Sequence, residues 1–198
     1  MRYAGHPDDV RHYDTTRIRK EFLIEKLFIS DEIFFVYSMY DRYMVGGAMP
    51  VTKALKLEAT DDLKAPDFLT RREMGIINTG GPAIVETAEA RYELDYKEAL
   101  YLGQGTRNVV FSSTDPDNPA KLYINSAPAH HPYPCRKVTK KDAEVNVLGS
   151  SESSNHRTVN KLLVNSVLPT CQLQMGMTEL SPGSVWNTMP VHTHGRRM

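Results

Sequence analysis

Short β-prone runs, each cut off by a turn signal, recur along this chain from Ile33 onward and restrict it to an all-β architecture. The runs are Ile33–Tyr37, Gly75–Asn78, Ala83–Thr87, Ala99–Leu102, Val109–Ser113 and Lys121–Asn125. Between them stand Gly46-Gly47, Gly80-Gly81-Pro82, Gly103-Gln104-Gly105 and Asp115-Pro116-Asp117-Asn118-Pro119. These residues supply a positive φ, a fixed φ or a local side-chain hydrogen bond to a turn. No long amphipathic helices alternate with the runs, which argues against a βαβ sheet. Short strands with regular turns close instead into a sandwich or barrel. One helical segment is expected early, from Thr15 towards Ile29, where Ile18, Phe22 and Leu23 fall at helical spacing and Thr15 or Thr16 can cap the start.

The pattern changes at Ala127–Pro134, where three prolines and two histidines read as an extended connector. Val138–Val147, with Thr139 as cap, is expected to hold one helical turn, and the Gly/Ser-rich stretch Leu148–Asn155 an exposed loop. Strand-like text resumes at Thr158–Val164, Gln172–Glu179 and Val185–Thr188. The organisation implied is a β domain over 1–126, a connector over 127–157, and the opening strands of a second barrel over 158–198. Two fragments echo one another. Gly47-Ala48-Met49-Pro50, then Arg71-Arg72-Glu73-Met74, parallels Asn187-Thr188-Met189-Pro190, then Arg196-Arg197-Met198, the trace a duplicated barrel would leave.

Composition narrows the function classes. Lys plus Arg equals Asp plus Glu at 24 each, so no global basic field exists to hold nucleic acid or anionic lipid. No apolar run approaches the roughly 20 residues of a membrane helix, and Met1–Lys20 lacks the apolar core of a signal peptide. A cytoplasmic protein is the expectation. Cys135 and Cys171 are too few for a disulfide framework and read as buried free thiols.

The chemistry-bearing signal is His192-Thr193-His194. On a strand, positions i and i+2 face the same side, so both imidazoles could share one cation. Zinc, iron, manganese and nickel accept such nitrogen ligands. A closed site needs further ligands, and Gly195, Arg196, Arg197 and Met198 supply none; a solvated histidine pair is the plainer alternative. Arg196 and Arg197 could form bidentate bonds to a carboxylate or simply be solvated, and Arg71 and Arg72 carry the same ambiguity. Glu73 could act as a general base, though an exposed or salt-bridged role is the commoner one for Glu. Where a late barrel histidine might stand, after Gly103-Gln104-Gly105, there is Asn108, so the first barrel reads as metal-free and structural. His130-His131 reads as a linker pair, Lys161 as a surface residue and Trp186 as core or interface. Ser112-Ser113 lacks a nearby base for a nucleophile.

Several strings together resemble the 5-keto-4-deoxyuronate isomerases: Arg19–Lys26, Val45–Pro50, Arg71–Asn78, Ala99–Gly103, Ala127–His130, Thr170–Leu173 and Trp186–His194. The last is the most specific, joining a tryptophan, a Met-Pro and the paired histidines in fixed order. The resemblance runs along the whole chain. It implies duplicated cupin-like β barrels, a homohexamer, and one zinc per chain in the second barrel. His192 and His194 match the first two ligands; a Glu and a later His would fall beyond Met198, leaving the second barrel incomplete and this chain weakly active or inactive alone. The reaction implied is an aldose–ketose isomerisation of 4-deoxy-L-threo-5-hexosulose uronate, a product of pectin breakdown, to 3-deoxy-D-glycero-2,5-hexodiulosonate. Two other classes fit parts of the pattern: a metal-free β-barrel binding or assembly module, and an iron-dependent cupin oxygenase.

Overall fold

The computed structural model describes residues 1–187. The chain opens on two helices, α1 (Pro7–Val10) and α2 (Thr15–Phe22). Asp14, one residue before the expected caps, starts α2: its Oδ1 accepts the Arg17 N–H at 2.7 Å. The helix ends at Phe22 rather than Ile29, and Ile18, Phe22 and Leu23 stay exposed, so its apolar positions meet no core among the described residues.

Thirteen strands follow: β1 (Ile33–Tyr37), β2 (Met44–Ala48), β3 (Leu55–Lys56), β4 (Arg72–Asn78), β5 (Ala83–Glu86), β6 (Arg91–Leu94), β7 (Ala99–Leu102), β8 (Val110–Ser113), β9 (Leu122–Pro128), β10 (Arg136–Val138), β11 (Glu144–Leu148), β12 (Arg157–Leu163) and β13 (Met175–Leu180). They form a six-stranded sheet, β1-β2-β9-β4-β7-β10, a four-stranded sheet, β3-β8-β5-β6, and a three-stranded sheet, β11-β12-β13. Every strand pair is antiparallel. The all-β expectation is met, and most expected strands lie within a residue or two of those formed.

Period-two alternation puts one face of the six-stranded sheet on a first core. Met74 and Ile76 of β4, Leu100 and Leu102 of β7, and Leu122 and Ile124 of β9 meet Leu55, Val85, Leu94 and Phe111 of the four-stranded sheet. The opposite face is covered as well. Ile77, Ala99, Tyr101, Ala127 and Val138 pack against Leu162, Leu163, Leu168, Leu173 and Met175 from the following part of the chain. Burying each of those leucines is worth about 1.5–3 kcal/mol, enough to hold the β12–β13 hairpin on the sheet. All seven residues of β4 are therefore buried.

Three expectations are corrected. Gly46-Gly47 is no turn but the middle of β2. Glycine is needed there because a Cβ on Gly46 would lie 2.2 Å from the Phe35 ring, and one on Gly47 2.4 Å from the Leu27 carbonyl oxygen. The expected connector carries strands: β9 continues through Pro128, and β10 joins the first sheet beside β7. Val138–Val147 forms no helical turn. Thr139 instead closes a turn between β10 and β11, its N–H and hydroxyl both donating to Asp142 Oδ2 at 2.8 Å. Of the last expected strand, Val185–Asn187 has no strand pairing, and Thr188 lies outside the described residues.

Candidate functional site

The expected metal ligands His192 and His194, and the arginines Arg196 and Arg197, lie outside the described residues. What the structure shows is how the chain leading to them is held. The β12–β13 pairing runs out at Arg157↔Leu180, and the chain turns at Ser181-Pro182-Gly183, with Gly183 at φ +84°. Ser181 N–H donates to the His156 carbonyl at 3.0 Å, and its hydroxyl lies 2.7 Å from His156 Nδ1. Val185 N–H reaches the Ser154 carbonyl at 2.9 Å and the Trp186 indole N–H the Ser153 carbonyl at 3.0 Å. The 150–155 loop thus serves as a backstop, and Trp186 is an anchor rather than a core residue.

Glu73 is not exposed, and it pairs with no cation among the described residues. It is fully buried on the outer face of β4 and accepts four hydrogen bonds. Oε1 takes the N–H groups of Gln172 and Leu173 at 2.8 and 2.7 Å. Oε2 takes the Cys171 N–H at 2.8 Å and the Tyr101 hydroxyl at 2.7 Å. A carboxylate offers about four acceptor positions, so no lone pair is left to shuttle a proton; Glu73 fixes the 171–173 segment. Burial, and then the bond to Glu73, hold the Tyr101 phenol far above its ordinary pKa. Beside this node Cys171 Sγ stands 3.0 Å from His130 Nδ1 and accepts the His130 N–H at 3.3 Å. The sequence named both residues separately but had no means to pair them across 41 positions.

The other candidates form no single cluster among the described residues. Arg71 is exposed and donates to the Leu63 and Lys64 carbonyls at 2.8 and 3.1 Å, whereas Arg72 is buried on the inner face of β4. Lys161 pairs with Glu144 of β11. Asn108 takes φ +52° in the turn before β8, a conformation asparagine tolerates. Ser113 Oγ donates to the Pro50 carbonyl and accepts the Ala120 N–H at 2.8 Å, a structural role. Cys135 and Cys171 are free and half-buried. Among the described residues, no group of three or more His, Cys, Asp or Glu side chains is placed to hold a metal, which leaves His192 and His194 as the donor pair to weigh.

A further tie spans the two parts of the molecule. Glu179 of β13 is bonded to Lys140 at 2.6 Å, to Lys97 of the β6–β7 turn, and to Asn160 Nδ2 at 2.9 Å. The bonds from Lys140 and then Lys97 hold its carboxyl at about 2, well below the usual range.

Comparison with known proteins gives consistent matches. The model described as the KduI/IolB family matches residues 23–198. A protein of Bacteroides fragilis named 4-deoxy-L-threo-5-hexosulose-uronate ketol-isomerase is 67% identical over 198 residues, covering 100% of this chain and 71% of the relative. One from Bacteroides thetaiotaomicron, named 4-deoxy-L-threo-5-hexosulose-uronate ketol-isomerase 1, is also 67% identical over the same shares. A namesake from Lachnoclostridium phytofermentans is 53% identical, with 72% of it covered. Among solved structures, an IolB-like protein from Salmonella typhimurium LT2 aligns at 20% identity with a TM-score of 0.47, over 65% of this chain and 46% of that one.

Proposed function

This chain belongs to the KduI/IolB family, and from that premise we propose that it isomerises 4-deoxy-L-threo-5-hexosulose uronate, with a metal ion held through His192 and His194. The observation that carries the reading is 67% identity along the entire chain to ketol-isomerases of that name. The enzyme is an isomerase; the substrate, the pectin-derived uronate pathway and the metal are the finer parts of the proposal.

A ketol isomerisation moves hydrogen between an aldehyde carbon and its hydroxyl-bearing neighbour and leaves the distant carboxylate untouched. The donor set fits a borderline cation, because two neutral imidazoles at i and i+2 are the ligands zinc, iron and nickel share. Such an ion, when bound, supplies Lewis-acid polarisation of the substrate carbonyl. The chain's own residues would help hold that ion and orient the substrate. His192 and His194 would give two ring nitrogens. Arg196 and Arg197 would supply the planar donors that hold the carboxylate bidentately and fix which end of the sugar acid reacts. The anchoring of Ser181, Val185 and Trp186 supports the reading, since a ligand segment must enter its site from a fixed point.

Turnover of the uronate, followed as loss of its aldehyde, tests this together with zinc content by elemental analysis. His192→Ala and His194→Ala should each remove bound zinc and lower turnover by at least about 100-fold, as loss of a metal's carbonyl activation would. Variants that keep the parent's rate would refute the role given to the two histidines.

A further inference from the structure

The proposed reaction makes no use of Arg72, yet this residue sits in an unusual setting. It is 5% exposed, and all its hydrogen bonds go to neutral oxygens: Nε to Ser126 Oγ at 3.0 Å, Nη2 to the Ser126 and Arg42 carbonyls at 2.7 Å each. No carboxylate among the described residues pairs with it. Burial, and then the like charge of Arg42, draw its pKa down to about 10, only partly opposed by Tyr37, whose ring centroid lies 5.8 Å from the guanidinium carbon. A buried cation without a counter-charge is costly to maintain.

The space beside it explains what could supply that charge. Tyr37, Arg42, Asp62, Arg71, Arg72 and Pro128 border a cavity of about 380 Å3. Ligand pockets run from roughly 300 to 1,000 Å3, so the volume suits one small molecule. Three arginines border it, and one acidic residue, Asp62. Arg71 spends its donors on the Leu63 and Lys64 carbonyls. The Arg42 guanidinium, in contrast, forms no hydrogen bond or ion pair among the described residues. The Arg72 bond to the Arg42 carbonyl holds the β1–β2 turn against the cavity that Arg42 borders.

The geometry points to a binding site for a small organic anion, a sugar-sized molecule whose carboxylate or phosphate lies between Arg42 and Arg72. Planar guanidinium forks match both groups, and the desolvated Arg72 favours an anion more than an exposed lysine would. The inference does not rest on the isomerase reading, because its residues lie on β1, β4, the end of β9 and the segments before β2 and before β4, apart from His192 and His194 in the sequence.

Calorimetric titration of the whole chain with D-galacturonate, with inorganic phosphate and with neutral D-galactose tests it. Saturable binding of at least one of the two anions is expected, none of D-galactose, and weakening in about 0.5 M salt. The two anion arms tell a carboxylate site from a phosphate site. Arg42→Gln should weaken anion binding about tenfold, the worth of one charged hydrogen-bond pair. Asp62→Asn should tighten it several-fold. Both side chains are exposed, so neither change threatens folding. The double variant His192→Ala/His194→Ala should still bind. Failure of both anions to bind, or binding unaltered by Arg42→Gln, would overturn the proposal. Loss of binding in the histidine variant alone would also overturn it, while leaving the isomerase reading intact.

Discussion

Replacing Glu73 with glutamine should destabilise the protein far more than its single changed atom suggests. The carboxylate takes two donors on each oxygen. An amide keeps one acceptor oxygen and turns the other into a donor. If Oε2 is the one replaced, Tyr101 can rotate its hydroxyl and accept, but the part-buried Cys171 N–H then faces another N–H. An orphaned buried donor costs about 1–3 kcal/mol, and the three surviving bonds lose their charge assistance, roughly 0.5–1 kcal/mol each. If Oε1 is replaced instead, two backbone N–H groups are orphaned and the cost rises. The expected loss is about 3–5 kcal/mol, a large part of a typical 5–15 kcal/mol total. For a chain of this size that is a Tm lower by about 6–20 °C. Tyr101→Phe, which removes one donor and leaves three, should cost only about 1–2 kcal/mol. Urea and thermal denaturation give both values, and hydrogen exchange should show the Cys171, Gln172 and Leu173 amides losing protection in E73Q. If E73Q lies within about 1 kcal/mol of the parent, or no lower than Y101F, the claim that Glu73 bolts the segment down is wrong.

Two more outcomes follow from the same seam. A Cβ on Gly75 would lie 2.3 Å from Met175 Sδ and 2.7 Å from Leu163 Cδ1, both ends of flexible side chains, so Gly75→Ala should cost a moderate 1–3 kcal/mol or so by denaturant titration; no loss would mean the hairpin does not press on β4. Glu179 has its folded pKa pulled from 4.5 to about 2, so it stabilises the protein above pH 4.5 and that contribution disappears as pH falls towards 2. Glu179→Gln should therefore lose about 1–2 kcal/mol near neutrality, discounted for partial exposure, and flatten the acid limb of the stability curve; parallel limbs for mutant and parent would contradict this.

The sequence made the β character legible because most strands combine alternating or continuous apolar text with flanking turn residues, as at Ala99–Leu102. It misled at Gly46-Gly47, where glycine answers to crowding by Phe35 and Leu27 across the sheet, something a linear string does not display. Pro128 and the short β10 were hidden for a related reason: one ends a strand, and the other is held chiefly by its partner β7. Of the candidate site residues, the paired histidines stood out by spacing alone. Glu73 did not, because its importance lies in backbone amides about a hundred positions away. Arg72 likewise looks like any surface arginine until β4 is seen covered on both sides.

That double covering has a consequence for how β4 finds its place during folding. Apolar residues line both of its sides, so hydrophobic pattern alone would scarcely penalise a shift by one position. Arg72 and Glu73 are sequence neighbours projecting oppositely, one among carbonyl and hydroxyl oxygens, the other among N–H groups. A one-residue slide would send each to the other's side of the sheet, setting either the cation against the N–H donors or the anion against the oxygen acceptors, according to its direction. The two adjacent charges act as a key cut on both edges, admitting the central strand in a single alignment.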